Sequence, residues 1–158
     1  MPFRPLLAPG RVVLVDAATP ASNRAEVLDL AARLLAGHGG LQARQVHELL
    51  VQRETLASTG IGFGIAIPHA RIPDLAEDTG VFLRLPRGVD FGAADGLEVD
   101  LVFAMAVSEA NVQSHLRRLA AIADRLGNPA FCASLRAAGD ETALATLLLD
   151  ADHYQSAA

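Results

Sequence analysis

The chain has 158 residues and a formal net charge of -5, and about half of its residues are apolar. The acidic balance argues against a nucleic-acid partner held by phosphate neutralisation, and no apolar stretch approaches the ~20 residues that cross a membrane. All thirteen basic side chains are arginines, which excludes Schiff-base chemistry on lysine and a P-loop lysine.

This length predicts a single domain over residues 1–158, with its core over about 10–149 and a frayed tail over 150–158. The first residues lack the pattern of a signal peptide, so a soluble cytoplasmic protein is expected, without direct membrane insertion. The single cysteine, Cys132, excludes an internal disulfide. Its apolar neighbours indicate a buried structural thiol.

The apolar periodicity predicts helices before, strands in the middle and helices after, which is typical of a layered α/β domain. The glycines at 37, 39 and 40 are predicted to end the first helix, with His38 in a loop. Element order does not decide whether the sheet is parallel or mixed. In chain order we predict a strand (12–15), helices (24–35, 43–53), strands (62–67, 80–85), a turn or edge element (87–92), a central strand (99–107) and helices (111–126, 130–138, 140–148).

The run STGIGFGIAIPH at residues 58–69 carries the strongest functional pattern. Proline fixes its own φ and disfavours helical geometry before it, so Pro68 predicts an extended Ile67. His69 is therefore expected at the tip of a strand, held rigidly for contact with another molecule. A lone histidine is more often structural, but these surroundings favour a functional one.

Small and hydroxyl side chains precede that histidine. Ser58, Thr59 and Gly60 offer hydroxyls and backbone donors of the kind that cradle a phosphate. Gly62 and Gly64 could let a ligand approach closely. Strand glycines also mark bulges, and the run matches neither nucleotide-binding glycine motif, so the glycines alone decide little.

Two further residues are candidates, Arg53 and His115. Arg53 suits bidentate contact with a phosphate, although an Arg–Glu neighbour pair with Glu54 is by default a weak surface ion pair. In the predicted helix 111–126, a buried apolar stripe is expected to contain Leu116, Leu119, Ile122, Ala123 and Leu126. His115 lies at the margin of this stripe, where packing and function both remain open. His47 is interpreted as a solvated or packed residue, and His153 lies in the expected tail. A dedicated zinc site and a serine hydrolase are disfavoured, because the sequence lacks their motifs.

The segment from Arg53-Glu54 through the 58–69 run resembles the signature of the type-2 (fructose/mannitol/nitrogen-regulatory) IIA family of the bacterial phosphotransferase system. The likeness extends over residues 10–149 and includes the strand 99–104 and the pair His115-Leu116. Ala57, Phe63 and Ala70 depart from the residues that relatives often carry, which concerns loop shape rather than reactive groups.

The resemblance implies a three-layer α/β/α sandwich around a small mixed sheet. It also implies that His69 is the phosphoryl acceptor, that Arg53 supports the phosphoryl group and that His115 is a second active-site histidine. The donor would be an HPr-like phosphocarrier protein. The transfer would need no metal, nucleotide or organic cofactor.

The resemblance is strongest to the nitrogen-regulatory branch, in which phosphorylation state is read by partner proteins. A free-standing fructose-type IIA unit that passes phosphate to a IIB unit is the alternative. A binding module whose histidine is never phosphorylated is a third reading, from a different class of function.

Overall fold

The computed structural model describes residues 2–4, 6–39, 41–110 and 112–149. The expected tail at 150–158, with His153, lies outside them. No helix of the described part is long and apolar enough to cross a bilayer. The strands there are β1 (Val12–Leu14), β2 (Gly60–Gly62), β3 (Ile65–Ala66), β4 (His69–Ile72), β5 (Thr79–Val89) and β6 (Val99–Ser108). The helices are α1 (Arg24–Gly39), α2 (Ala43–Leu56), α3 (Val112–Leu126), α4 (Pro129–Ala137) and α5 (Glu141–Leu149).

Strand β6 lies at the centre of one mixed sheet. It pairs antiparallel with β5 and parallel with both β3 and β4. Strand β1 extends the sheet beside β5, and β2 extends it beside β3. The nearly continuous apolar sequence of β6 fits this position, because both of its faces are covered.

Alternating side chains of the central strand β6 belong to two separate hydrophobic cores, one on each face of the sheet. Leu101, Phe103 and Met105 pack on one face with α3, α4 and α5. Val102 and Ala104 pack on the other face with α1 and α2. Because strand side chains point alternately to opposite faces, one apolar strand serves both cores. The expected three-layer α/β/α sandwich with a mixed sheet is confirmed.

The predicted strand over 62–67 with His69 at its tip is wrong in detail. Gly62, Phe63 and Gly64 have φ values of 97°, 59° and 83°, and they turn the chain between β2 and β3. Left-handed backbone ends a strand, which the alternating apolar pattern did not reveal. Pro68 then separates β3 from β4, and His69 opens β4. The imidazole is nevertheless held by a strand, as expected.

Two predicted boundaries also move. Helix α1 continues through Gly37 to Gly39, so His38 lies in a helix rather than in a loop. Glycine in a helix costs about 1 kcal/mol relative to alanine without any clash, and packing of α1 on the sheet outweighs that cost. Strand β5 runs into the segment predicted as a turn or edge element, and the shift in its register between Arg84 and Val89 accommodates Pro86.

The turn at Gly64 predicts a specific sensitivity. A Cβ there would lie 2.6 Å from Nη2 of Arg136 and 3.0 Å from a carboxylate oxygen of Asp100, in addition to the strain of φ 83°. Gly96 has a similar φ of 74°, and a Cβ there would meet no heavy atom within 4 Å, so Gly96→Ala is a matched control. We expect Gly96→Ala to lower the free energy of unfolding by about 1 kcal/mol and Gly64→Ala by clearly more. Urea denaturation measures both, and equal losses would contradict the packing role of Gly64.

Candidate functional site

His69 is fixed by its own strand and by the residue two positions earlier. It is buried at the start of β4, in parallel register with Met105 of β6. Its Nδ1 lies 2.9 Å from the backbone oxygen of Ile67. A carbonyl oxygen only accepts hydrogen bonds, so Nδ1 carries the proton. In the neutral ring Nε2 then holds the free lone pair, which makes it the nucleophilic atom.

The surroundings keep this imidazole neutral. Burial lowers the pKa of His69 below the ordinary 6.5, and the positive charges of Arg53 and Arg71 act in the same direction. The hydrogen bond to Ile67 and the charge of Glu54 oppose the shift without reversing it. At neutral pH the lone pair on Nε2 is therefore available, as a nucleophile requires.

His115 lies next to His69. It lies on α3, and the centroids of the two rings are 5.4 Å apart at an angle of 54°. Both of its ring nitrogens are buried without a hydrogen-bond partner among the described residues. Burial, followed by the proximity of His69, lowers its pKa to about 4. An unsatisfied buried polar group costs about 1–3 kcal/mol, so this ring is poised to bind a group that arrives beside it.

Arg53 and Glu54 are not an ion pair with each other in this structure. Nη1 of Arg53 donates to the backbone oxygen of Ala57 at 2.8 Å, at the end of α2. The buried carboxylate of Glu54 accepts from the backbone N–H of Thr59 at 2.7 Å and from the Thr59 hydroxyl. Glu54 therefore fixes the loop after α2, a role that the default interpretation of the pair missed. The local sequence does not show that the Glu54 carboxylate is buried rather than exposed to solvent.

The loop 58–60 is brought beside His69, but both of its hydroxyls and two of its backbone N–H groups are already engaged. The Ser58 hydroxyl donates to the backbone oxygen of Phe91 and accepts from the N–H of Gly60 at 3.0 Å. Both Thr59 donors bond to Glu54. A phosphate contact from this loop stays a prediction, and a contact from any of these engaged groups would require its bond to be exchanged.

The glycines at 60 and 62 allow another segment of this chain to pack closely against the run. A Cβ on Gly60 would lie 2.9 Å from the Cβ of Ala93, and one on Gly62 would lie 3.1 Å from a carboxylate oxygen of Asp95. The sequence suggested a ligand or partner as the close neighbour. The close neighbour is instead the loop that follows β5, which the sequence pattern does not place there.

A surface cavity of about 330 Å³ lies over His69, and the neighbour of His115 on α3, Leu116, is among its lining residues. Arg53, Ser58, Thr59 and His69 line its polar side. Its remaining lining is apolar and includes Ile61 and residues of α3. Ile61 and Leu116 are 41% and 51% exposed, although Leu116 was expected on the buried stripe of its helix. A reactive imidazole bordered by exposed apolar side chains suits an approaching protein surface.

The other candidates do not join this site. Cys132 is buried on α4, and its thiol donates to the backbone oxygen of Leu126. Burial raises the pKa of this thiol, in agreement with a structural role. Within 2–4, 6–39, 41–110 and 112–149, no group of three or more His, Cys, Asp or Glu could hold a metal ion.

Residues 11–151 match the family described as "Phosphoenolpyruvate-dependent sugar phosphotransferase system, EIIA 2". The chain belongs to this family. It is 37% identical over 148 residues to a nitrogen regulatory protein of Bradyrhizobium diazoefficiens, covering 94% of this chain and 95% of the relative. It is 38% identical over 151 residues to a nitrogen regulatory protein of Pseudomonas aeruginosa, covering 95% of this chain and 96% of the relative. The crystal structure of the nitrogen regulatory protein IIA-Ntr from Neisseria meningitidis matches with a TM-score of 0.83 at 30% identity, covering 90% of this chain and 96% of that one.

The depressed pKa of His115 predicts how stability depends on pH. In the unfolded chain, His115 binds a proton as the pH falls below its ordinary pKa of 6.5. In the folded protein, the same side chain binds a proton only near pH 4. Stability is therefore fully present above pH 6.5 and falls as the pH drops toward 4, by on the order of 2 kcal/mol from this residue. The shift at His69 has the same sign.

We expect His115→Leu to flatten this dependence and to raise stability at pH 7.5, since it removes two unsatisfied buried nitrogens. Urea denaturation of both proteins between pH 4.5 and 7.5 (about three pH units around the shifted window) measures the effect. An unchanged pH slope in the variant would show that His115 is not the proton-linked group.

Proposed function

We propose that this phosphotransferase-system component is a phosphocarrier of the nitrogen-related branch. In this proposal His69 accepts a phosphoryl group from an HPr-like carrier protein, and the phosphorylation state regulates partner proteins. The observation that carries the proposal is the fixed tautomer of His69, which leaves the Nε2 lone pair free on a ring that shares a cavity with Arg53 and lies 5.4 Å from the ring of His115.

The transfer is an exchange of one phosphorus–nitrogen bond for another. The Nε2 lone pair attacks the phosphorus of the carrier's phosphohistidine in line, and the bond from phosphorus to the carrier's ring nitrogen breaks with its electron pair. The His69 ring gains positive charge as the new bond forms, and its Nδ1–H donates to the oxygen of Ile67 throughout. That hydrogen bond strengthens as charge develops on its donor.

Two side chains would stabilise the transferring group. The guanidinium of Arg53, on the same cavity as His69, suits the charged phosphoryl oxygens. The N–H of neutral His115 can donate to one of those oxygens and would thereby lose part of its burial cost. No metal, nucleotide or organic cofactor enters this transfer. A donor of this kind implies that the chain acts in the cytoplasm.

The names of the relatives support the regulatory branch. Nitrogen regulatory proteins align over nearly the whole of this chain and over nearly the whole of their own length. A sugar-specific unit would pass its phosphoryl group to a IIB protein. Incubation of the phosphorylated chain with a fructose-type IIB unit separates the two functions: we expect the chain to keep its phosphate, and rapid loss to IIB would favour sugar transport.

Phosphorylation itself is tested by intact mass. The chain is incubated with phosphoenolpyruvate and the general phosphotransferase proteins, and wild type is compared with His69→Ala and with His47→Ala as the matched control. We expect one acid-labile phosphate on wild type and on the control, and none on His69→Ala. No phosphate on wild type, with donor proteins shown to be active, would overturn the phosphocarrier proposal in favour of a binding module.

A further inference from the structure

Phe63 occupies a backbone conformation that large side chains avoid. Its φ is 59°, between two glycines that are also left-handed. Its N–H donates to a carboxylate oxygen of Asp95 at 2.8 Å, and its carbonyl accepts from Nη2 of Arg136 at 2.8 Å. These bonds fix the backbone while the ring stays 67% exposed. A strained position that displays an aromatic ring to solvent gains nothing for the fold.

The backbone of Leu97 is bonded to the same carboxylate. Its N–H donates to the other oxygen of Asp95 at 3.1 Å, and its side chain is 53% exposed. The bonds from Phe63 and Leu97 lower the pKa of Asp95, so this carboxylate stays ionised and keeps both bonds at neutral pH. One acid therefore fixes the backbone at two exposed large apolar residues.

Phe63 and Leu97 border a second cavity, of about 500 Å³. Leu126, Pro129 and Cys132 contribute to its apolar lining. Its lining also includes the carboxylates of Glu98 and Asp100 and the guanidinium of Arg136, which is paired with Asp100. With Asp95 bonded to the N–H of Phe63, the acidic groups outnumber the basic one, and the surroundings combine apolar side chains with a net negative charge.

This second cavity lies near the His69 cavity along the chain, although no described residue lines both. Ile61 lines the His69 cavity and lies two residues before Phe63, at most about 7 Å along the chain. A stable protein interface covers about 800 Å² on each partner, a patch roughly 30 Å across. A carrier protein that brings its phosphoryl group to His69 would therefore cover Phe63 as well.

We propose that Phe63 and Leu97 form an apolar anchor for the phosphoryl-donating carrier protein, which presents an apolar patch bordered by basic side chains. This inference rests on the proposed function, since it assigns a docking surface to the donor. The anchor contributes to binding of the carrier and takes no part in the chemistry at His69.

The test compares a protein donor with a chemical one. Phe63→Asn removes the ring and suits the left-handed backbone, so the variant should fold at least as well as wild type. We expect its KM for a phosphorylated HPr-like carrier to rise about tenfold with kcat nearly unchanged, in the range of an interface hot spot. Phosphorylation by phosphoramidate, a small donor that needs no docking surface, should keep the wild-type rate.

Two further variants complete the test. Leu97→Ser should raise the same KM, whereas Val51→Asn, which changes an exposed apolar residue on α2 outside both cavities, should not. An unchanged KM in Phe63→Asn and Leu97→Ser, or equal slowing with both donors, would overturn the anchor. Wild type that takes phosphate from neither donor would overturn the proposed function and the anchor with it.

Discussion

The hydrogen bond from Nδ1 of His69 to the backbone oxygen of Ile67 is the constraint on which the site depends. It selects the tautomer and so decides which nitrogen can act. Ile67 is itself fixed, because its N–H donates to the backbone oxygen of Thr59 at 3.0 Å. Thr59 is held in turn by Glu54 at the end of α2. A helix thus positions the imidazole through three successive hydrogen-bonded steps.

The burial of His115 lowers the stability of the folded protein. His115 buries two polar atoms without a protein partner among the described residues and resists protonation until about pH 4. A leucine of similar size would suit the same place better as a structural residue. Retaining an imidazole there is consistent with a group that bonds only when a phosphoryl group is present. Under the proposed function, stability and transfer would therefore place opposite demands on this position.

Much of the architecture could be predicted from the sequence because it depends on local periodicity. The apolar run of β6 and the stripes of the later helices indicated the layers, and the 58–69 run indicated His69. Only the resemblance predicted a functional role for His115, whose neighbour His69 is 46 positions away in the sequence. Its approach to His69 depends on tertiary structure.

Several features of the site that the sequence did not reveal depend on how segments pack in the fold. The glycines suggested room for a ligand, and they lie instead against Ala93, Asp95 and Arg136. Glu54 was expected as half of a surface ion pair, and it is a buried acceptor. Leu116 was expected in the core and is half exposed at the cavity. Periodicity records which side chains are apolar, and only tertiary packing decides which of them a partner can reach.

The most direct measurement of the central claim is the nitrogen-15 NMR spectrum of the His69 ring, followed from pH 5 to 8 (about three pH units around the ordinary histidine pKa). We expect the neutral Nδ1–H tautomer at pH 7, with protonation only below the ordinary pKa of 6.5. A ring that is protonated on Nε2 alone, or doubly protonated at pH 7, would contradict the account, because Nε2 would then have no lone pair to accept a phosphoryl group.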